Sequence, residues 1–83
     1  MPDVVQKRMF IKAREADFAT KLEVDSGDAN VSYVGKALAG SLTSDIVWQI
    51  KKLDETSGIT ITFAGGTTDF VHEWDERETL TYS

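Results

Sequence analysis

The sequence predicts an all-β domain, a small antiparallel sandwich or barrel of five to six short strands with at most one helical turn. Three observations carry this. Apolar and polar residues alternate with period 2 in several runs, most clearly at Ile46-Val47-Trp48-Gln49-Ile50-Lys51 and Ile59-Thr60-Ile61-Thr62-Phe63. Such alternation puts one set of side chains on one face of a pleated strand. Clusters of Gly, Asp, Asn and Ser separate the runs at spacings of roughly 8–12 residues, the rhythm of an antiparallel sandwich or barrel. The one helix-tolerant stretch, Ala13 to Asp17, is too short to hold a stable helix and reads as a turn or a single helical turn.

The run from Ser44 to Phe63 reads as a β-hairpin closed by Asp54-Glu55-Thr56-Ser57-Gly58. Its expected inward set is Ile46, Trp48, Ile50, Ile59, Ile61 and Phe63. Lys51, Thr60 and Thr62 are then its solvated face. Ahead of it, Val4 to Ile11 mixes β-branched, aromatic and charged residues. Val5, Met9 and Ile11 share one parity, Val4 and Phe10 the other, so the strand is either touched on both faces near Met9-Phe10-Ile11 or bends there. Phe18, Thr20, Leu22 and Val24 alternate cleanly and form the second strand. Asp25 to Asn30 is a turn cluster. Val31 to Val34 forms a short strand ending at Gly35. Gly35 to Ser44 reads as a loop whose Leu38 and Leu42 tuck against the sheet. Ala64-Gly65-Gly66-Thr67-Thr68 is a turn suited to positive φ. Asp69 to Arg77 contains a short turn with Thr68 as its cap, and Glu78 to Tyr82 is a last strand.

At 83 residues the chain is one domain, residues 1–83, with a basic N-terminal strand or arm at 1–14. A domain this small buries only about 60–65% of its unfolded surface, and without cysteine it has no disulfide or thiolate site to support it. Association with a partner or with copies of itself is therefore expected. No segment has the long apolar core of a signal peptide or the roughly 20 apolar residues of a membrane span, so a soluble, cytoplasmically made chain is expected. The net charge is −5. Lys7, Arg8, Lys12 and Arg14 against Asp3 give residues 1–14 a net +3, which leaves −8 for residues 15–83. An acidic body does not suit direct nucleic-acid binding, which calls for a basic surface.

No catalytic, cofactor or metal signature emerges. Gly35 and Gly40 have the glycine spacing of a phosphate-binding loop, but Ser41-Leu42 stand where Lys-Ser/Thr is required. His72, the single histidine, reads as a sheet-edge or turn residue. Asp69, Glu73, Asp75, Glu76 and Glu78 are an acidic cluster without calcium-loop spacing and read as a solvated face. The aromatic residues lack the basic flanks of a base-stacking platform. Trp48 belongs to the core. Trp74, among charged neighbours, is expected to be half-exposed and to anchor a protein interface, with Arg77 beside it. The candidate interface residues are Lys7, Arg8, Phe10, Lys12, Trp74, Arg77 and Tyr82.

Three stretches in this order resemble a group of small proteins encoded by tailed bacteriophages. They are Tyr33-x-Gly35-x-Ala37, then Trp48-x-Ile50-x-Lys52, then Trp74-Asp75-x-Arg77 with Leu80-Thr81-Tyr82-Ser83. The likeness covers Tyr33 to Ser83. Glu76 departs from it where the group has Asp, as does Ala64-Gly65-Gly66 where the group has Ala-Asp-Gly. The resemblance implies a virion component assembled in the host cytoplasm, and it carries over no catalytic residues. On this basis the chain is expected to be a non-enzymatic structural protein, without cofactor, that binds other virion proteins of capsid or tail and is oligomeric. Capsid decoration or cement is the favoured role; neck, tail or fibre attachment is the alternative. A free acidic module that inhibits a host factor is the reading from another class.

Overall fold

The structure is a computed structural model that describes residues 18–83. The expected Val4–Ile11 strand, the turn at Ala13–Asp17 and the candidate residues Lys7, Arg8, Phe10 and Lys12 lie outside the described residues. Within them the chain is an antiparallel β-sheet with a single 3-10 turn, as the alternation predicts. β1 (Phe18–Val24), β2 (Val31–Leu38), β3 (Ile46–Asp54) and β4 (Thr60–Phe63) lie side by side in chain order. β5 (His72–Glu73) pairs with the first half of β3, at Ile46 and Trp48, while β4 pairs with the second half, Lys51 to Asp54.

β2 runs longer than its sequence suggests. It continues through Gly35 to Leu38, with Gly35 paired to Lys21 on one side and Ile50 on the other. Pairing on both edges satisfies the backbone that an isolated glycine would leave mobile. Leu38 and Leu42 do not tuck in: they are 52% and 64% exposed. Leu42 contributes its carbonyl oxygen instead, which accepts the Trp48 indole N–H at 3.0 Å.

One face of the sheet holds the core: Val31, Tyr33 and Ala37 on β2, Trp48 and Ile50 on β3, and Ala64 just past β4. Residues directly opposite one another in an antiparallel pair share a face. This corrects the expected inward set of the hairpin. Lys51 pairs with Phe63 and Leu53 with Ile61, so odd residues of β4 join odd residues of β3. Trp48 and Ile50 are even and face the other way. A five-residue loop, Glu55 to Ile59, imposes this, because an odd loop length pairs like parity with like. Ile61 is accordingly 56% exposed and Ile59, in the loop, 72%. Ile46 leaves the core for a different reason: a register shift between Ile46 and Trp48 turns it out to 63% exposure.

The layer over the core face is the C-terminal segment. Ala64 N–H donates to Ile50 O at 2.9 Å, the last contact of β4 with β3. Gly65 (φ 64°) and Gly66 (φ 67°) then take left-handed conformations that a side chain would strain, and the chain leaves the sheet. It returns as β5 and continues into the 3-10 turn Trp74–Glu76. Glu73 is the N-cap, with no side-chain cap bond, so Thr68 does not cap this turn. The expected strand over Glu78–Tyr82 shrinks to a single bridge, Ala64 opposite Tyr82, extended by paired bonds between Phe63 and Ser83 at 3.1 and 3.2 Å. A tertiary clasp therefore closes the fold where the sequence suggests a full strand.

Candidate protein interface

The structure brings Trp74, Arg77 and Tyr82 together, but as this clasp. Trp74 is 2% exposed, which corrects the half-exposed anchor expected from its charged neighbours. The first residue of the 3-10 turn points its side chain at the sheet, while Asp75 and Glu76 face solvent. The indole lies against the Gly35 backbone and 5.7 Å from the Trp48 ring. Arg77 caps it from outside. Its guanidinium stands 4.8 Å from the Trp74 ring, and Nη1 donates to Trp74 O at 3.2 Å. Nη2 lies 3.9 Å from Glu23 Oε1, while Nε is buried without a hydrogen-bond partner. Stacking and the Trp74 carbonyl thus hold the guanidinium against the indole.

Tyr82 completes the clasp. Its hydroxyl donates to Arg77 O at 2.7 Å, and its ring stands 5.6 Å from that of Tyr33. Tyr33 in turn donates to Asp25 Oδ1 at 2.6 Å, tying the core to the β1–β2 turn. Ser26 of that turn donates through Oγ and N–H to the two carboxylate oxygens of Glu78, at 2.6 and 3.1 Å. Glu78 is thereby part of the closure, and the acidic cluster is distributed along the loop before β5, β5 itself, the 3-10 turn and this contact. His72 sits on β5, as its sheet-edge reading has it, and its Nε2 donates to Ala64 O at 3.1 Å.

The two tyrosines make the clasp sensitive to base. Burial, and next the Asp25 carboxylate, raise the Tyr33 hydroxyl above its ordinary value. Burial raises Tyr82 to about 12. The same Tyr33 hydroxyl, and then the Gly27 N–H, hold the Asp25 carboxyl below its ordinary value. Groups raised on folding contribute stability that is complete below the unfolded pKa, 10.0 for tyrosine, and lost as pH climbs through the folded value. Stability is therefore expected to fall from about pH 10 towards 12. With Tyr33 and Tyr82 the only tyrosines in the chain, tyrosinate absorbance is expected to rise together with the loss of the circular-dichroism signal. Ionisation near pH 10 with the sheet intact would contradict the buried pair.

Among the described residues, an apolar surface is exposed on the other face of the sheet. It carries Leu22, Val24, Val34, Leu53, Ile61 and Phe63, of which Leu22 (64%), Val24 (55%) and Ile61 are the most exposed. Among the described residues, Lys36 and Lys51 are the only charges that the strands present there; the acids lie on the core face, in turns and in the C-terminal segment. At one end this open face meets a cavity of about 320 Å³ lined by Phe18, Leu38, Ser41, Val47 and Phe70. Phe70 reaches it on the loop between Gly66 and β5. That loop is fixed by Gln49 Nε2 donating to Thr68 O at 2.8 Å, and Phe70 stacks on Phe18 at 5.5 Å. Residue pattern alone misses these apolar positions, since it assigns Ile61 and Phe63 to the core. The signal was in the parity of the hairpin loop and in the alternation of Leu22 and Val24.

Among the described residues, no helix is long and apolar enough to cross a membrane. No protein-family model, curated protein or solved structure matches this chain.

Proposed function

We propose that the chain is a non-enzymatic structural protein of a tailed bacteriophage that binds other virion proteins, with capsid decoration or cement as its role. The observation that carries the reading is the ordered set of motifs from Tyr33 to Ser83. Their positions converge in space. Tyr33, Ala37, Trp48, Ile50 and Trp74 are core residues, with Leu80 and Tyr82 packed against them. The motifs thus fall on a packed scaffold, which is what a structural role requires. The open face supports the same reading: a contiguous apolar surface on a small domain is the ordinary mark of a protein contact.

The test is the composition of purified particles. Mass spectrometry of mature virions is expected to detect this chain at many copies per particle. Its absence from particles, while it is abundant in the infected cell, would reject the structural role and favour the free acidic module. Particles made with a chain lacking residues 1–14 are expected to lose it, since the basic segment is assigned to partner contact.

A further inference from the structure

β1 is an edge strand: among the described residues its only strand partner is β2. Residues of an antiparallel strand turn their N–H and C=O alternately towards and away from a given neighbour. Asp25 N–H donates to Val31 O at 2.8 Å. Counting back from Asp25, residues 19, 21 and 23 point their backbone groups at β2. Phe18, Thr20, Leu22 and Val24 point theirs outwards. The strand is seven residues long, carries no proline and pairs in unbroken register with β2. An edge of that kind is a template for a further strand.

We propose that two copies of this chain join through β1, antiparallel about a two-fold axis, with Leu22 opposite Leu22 of the second copy. A two-fold contact is self-complementary, so the strand must be its own partner in charge as well as in hydrogen bonding. Centred on Leu22, outward-pointing residues meet outward-pointing residues: Leu22 with Leu22, and Thr20 with Val24 twice. These are three hydrogen-bonded pairs, about six bonds. Between them Lys21 faces Glu23, again twice. These are the non-hydrogen-bonded positions, where side chains of an antiparallel pair come closest and opposite charges stabilise.

Neighbouring registers lack this match. Centred on Lys21, lysine meets lysine; centred on Glu23, glutamate meets glutamate; centred on Val24, Glu23 meets Asp25. A centre on Thr20 sets Lys21 against Ala19, with no opposite charge to meet it. The Leu22 register also brings the exposed Leu22 and Val24 side chains of both copies together and joins the two open faces into one continuous apolar surface. An edge contact of five paired residues of β1 from each copy is small beside the roughly 1,200–2,000 Å² of a stable interface. The dimer is therefore concentration-dependent. This inference stands independently of the virion reading.

The full chain tests it. Sedimentation across a concentration series is expected to show the mass rising from one copy to two. The chain has no cysteine, so Leu22→Cys adds a single thiol. Its Cα would lie about 5.5 Å from its counterpart, within the roughly 4.4–6.8 Å that a disulfide spans. Mild oxidation is expected to cross-link Leu22→Cys at least tenfold faster than Thr20→Cys, whose counterpart sits across from Val24. Lys21→Glu sets glutamate against Glu23 and is expected to weaken the dimer at least tenfold. Lys21→Glu combined with Glu23→Lys is expected to restore it. A parent chain that remains monomeric, equal cross-linking of the two thiols, or a double reversal as weak as the single would each overturn the proposal.

Discussion

Trp74→Ala is expected to remove a large share of the domain's stability, about 3–5 kcal/mol. The indole is 2% exposed and supports three contacts: the Gly35 backbone beneath it, the Trp48 ring at 5.7 Å and the Arg77 guanidinium at 4.8 Å. Truncating a buried aromatic to alanine costs about 3–5 kcal/mol in lost burial and residual cavity. A domain of this length holds roughly 4–12 kcal/mol in all, at about 0.05–0.15 kcal/mol per residue. The change also removes the ring on which the Arg77 guanidinium stacks. Far-ultraviolet circular dichroism followed through urea denaturation measures it. A cooperative transition within about 1 kcal/mol of the parent would mean that the C-terminal segment does not close the core.

Gly35→Ala is the second large effect, and it acts on the same contact from the sheet side. A methyl group on Gly35 would meet Trp74 Cε3, lie 2.5 Å from Trp74 Cζ3 and stand 3.1 Å from Trp48 Cε3. These atoms belong to two flat, pinned rings with no soft end to yield. Alanine is otherwise the better strand residue, by about 0.5–1 kcal/mol of backbone entropy. Overpacking costs about 1–3 kcal/mol and occasionally more. The clash wins, and a net loss of about 2 kcal/mol is expected. The cause is checked by repeating the substitution with Trp74→Leu, where the ring is gone. There Gly35→Ala should cost little, giving a coupling of about 1–2 kcal/mol between the two sites. Equal costs in both backgrounds would place the strain elsewhere. The pairing explains why Tyr33-x-Gly35-x-Ala37 and Trp74-Asp75-x-Arg77 occur in one chain: the glycine is the seat of the tryptophan.

The interface was harder to read than the fold. Trp74 looked like a surface anchor because its sequence neighbours are charged. In a 3-10 turn, adjacent side chains diverge by about a third of a turn, so Asp75 and Glu76 are solvated while Trp74 is buried. Arg77 and Tyr82 followed it inwards. The apolar surface that is exposed, Leu22, Val24 and Ile61, was hidden in runs that alternate as a core strand does. Alternation reports that two faces differ. It does not report which one is covered.

Local pattern was sufficient for the all-β class, the β1 alternation, the β3–β4 hairpin and the place of Trp48 in the core. Each rests on side-chain parity within a few residues, a property of one strand alone. Tertiary structure decided the rest. The five-residue loop set which face of β4 joins which face of β3. Two left-handed glycines sent the C-terminal segment across the Trp48 face and left the other face open. Pairing on both edges carried β2 through Gly35. All three depend on contacts between residues far apart in the chain, where parity must be matched across a gap that no single stretch of sequence contains.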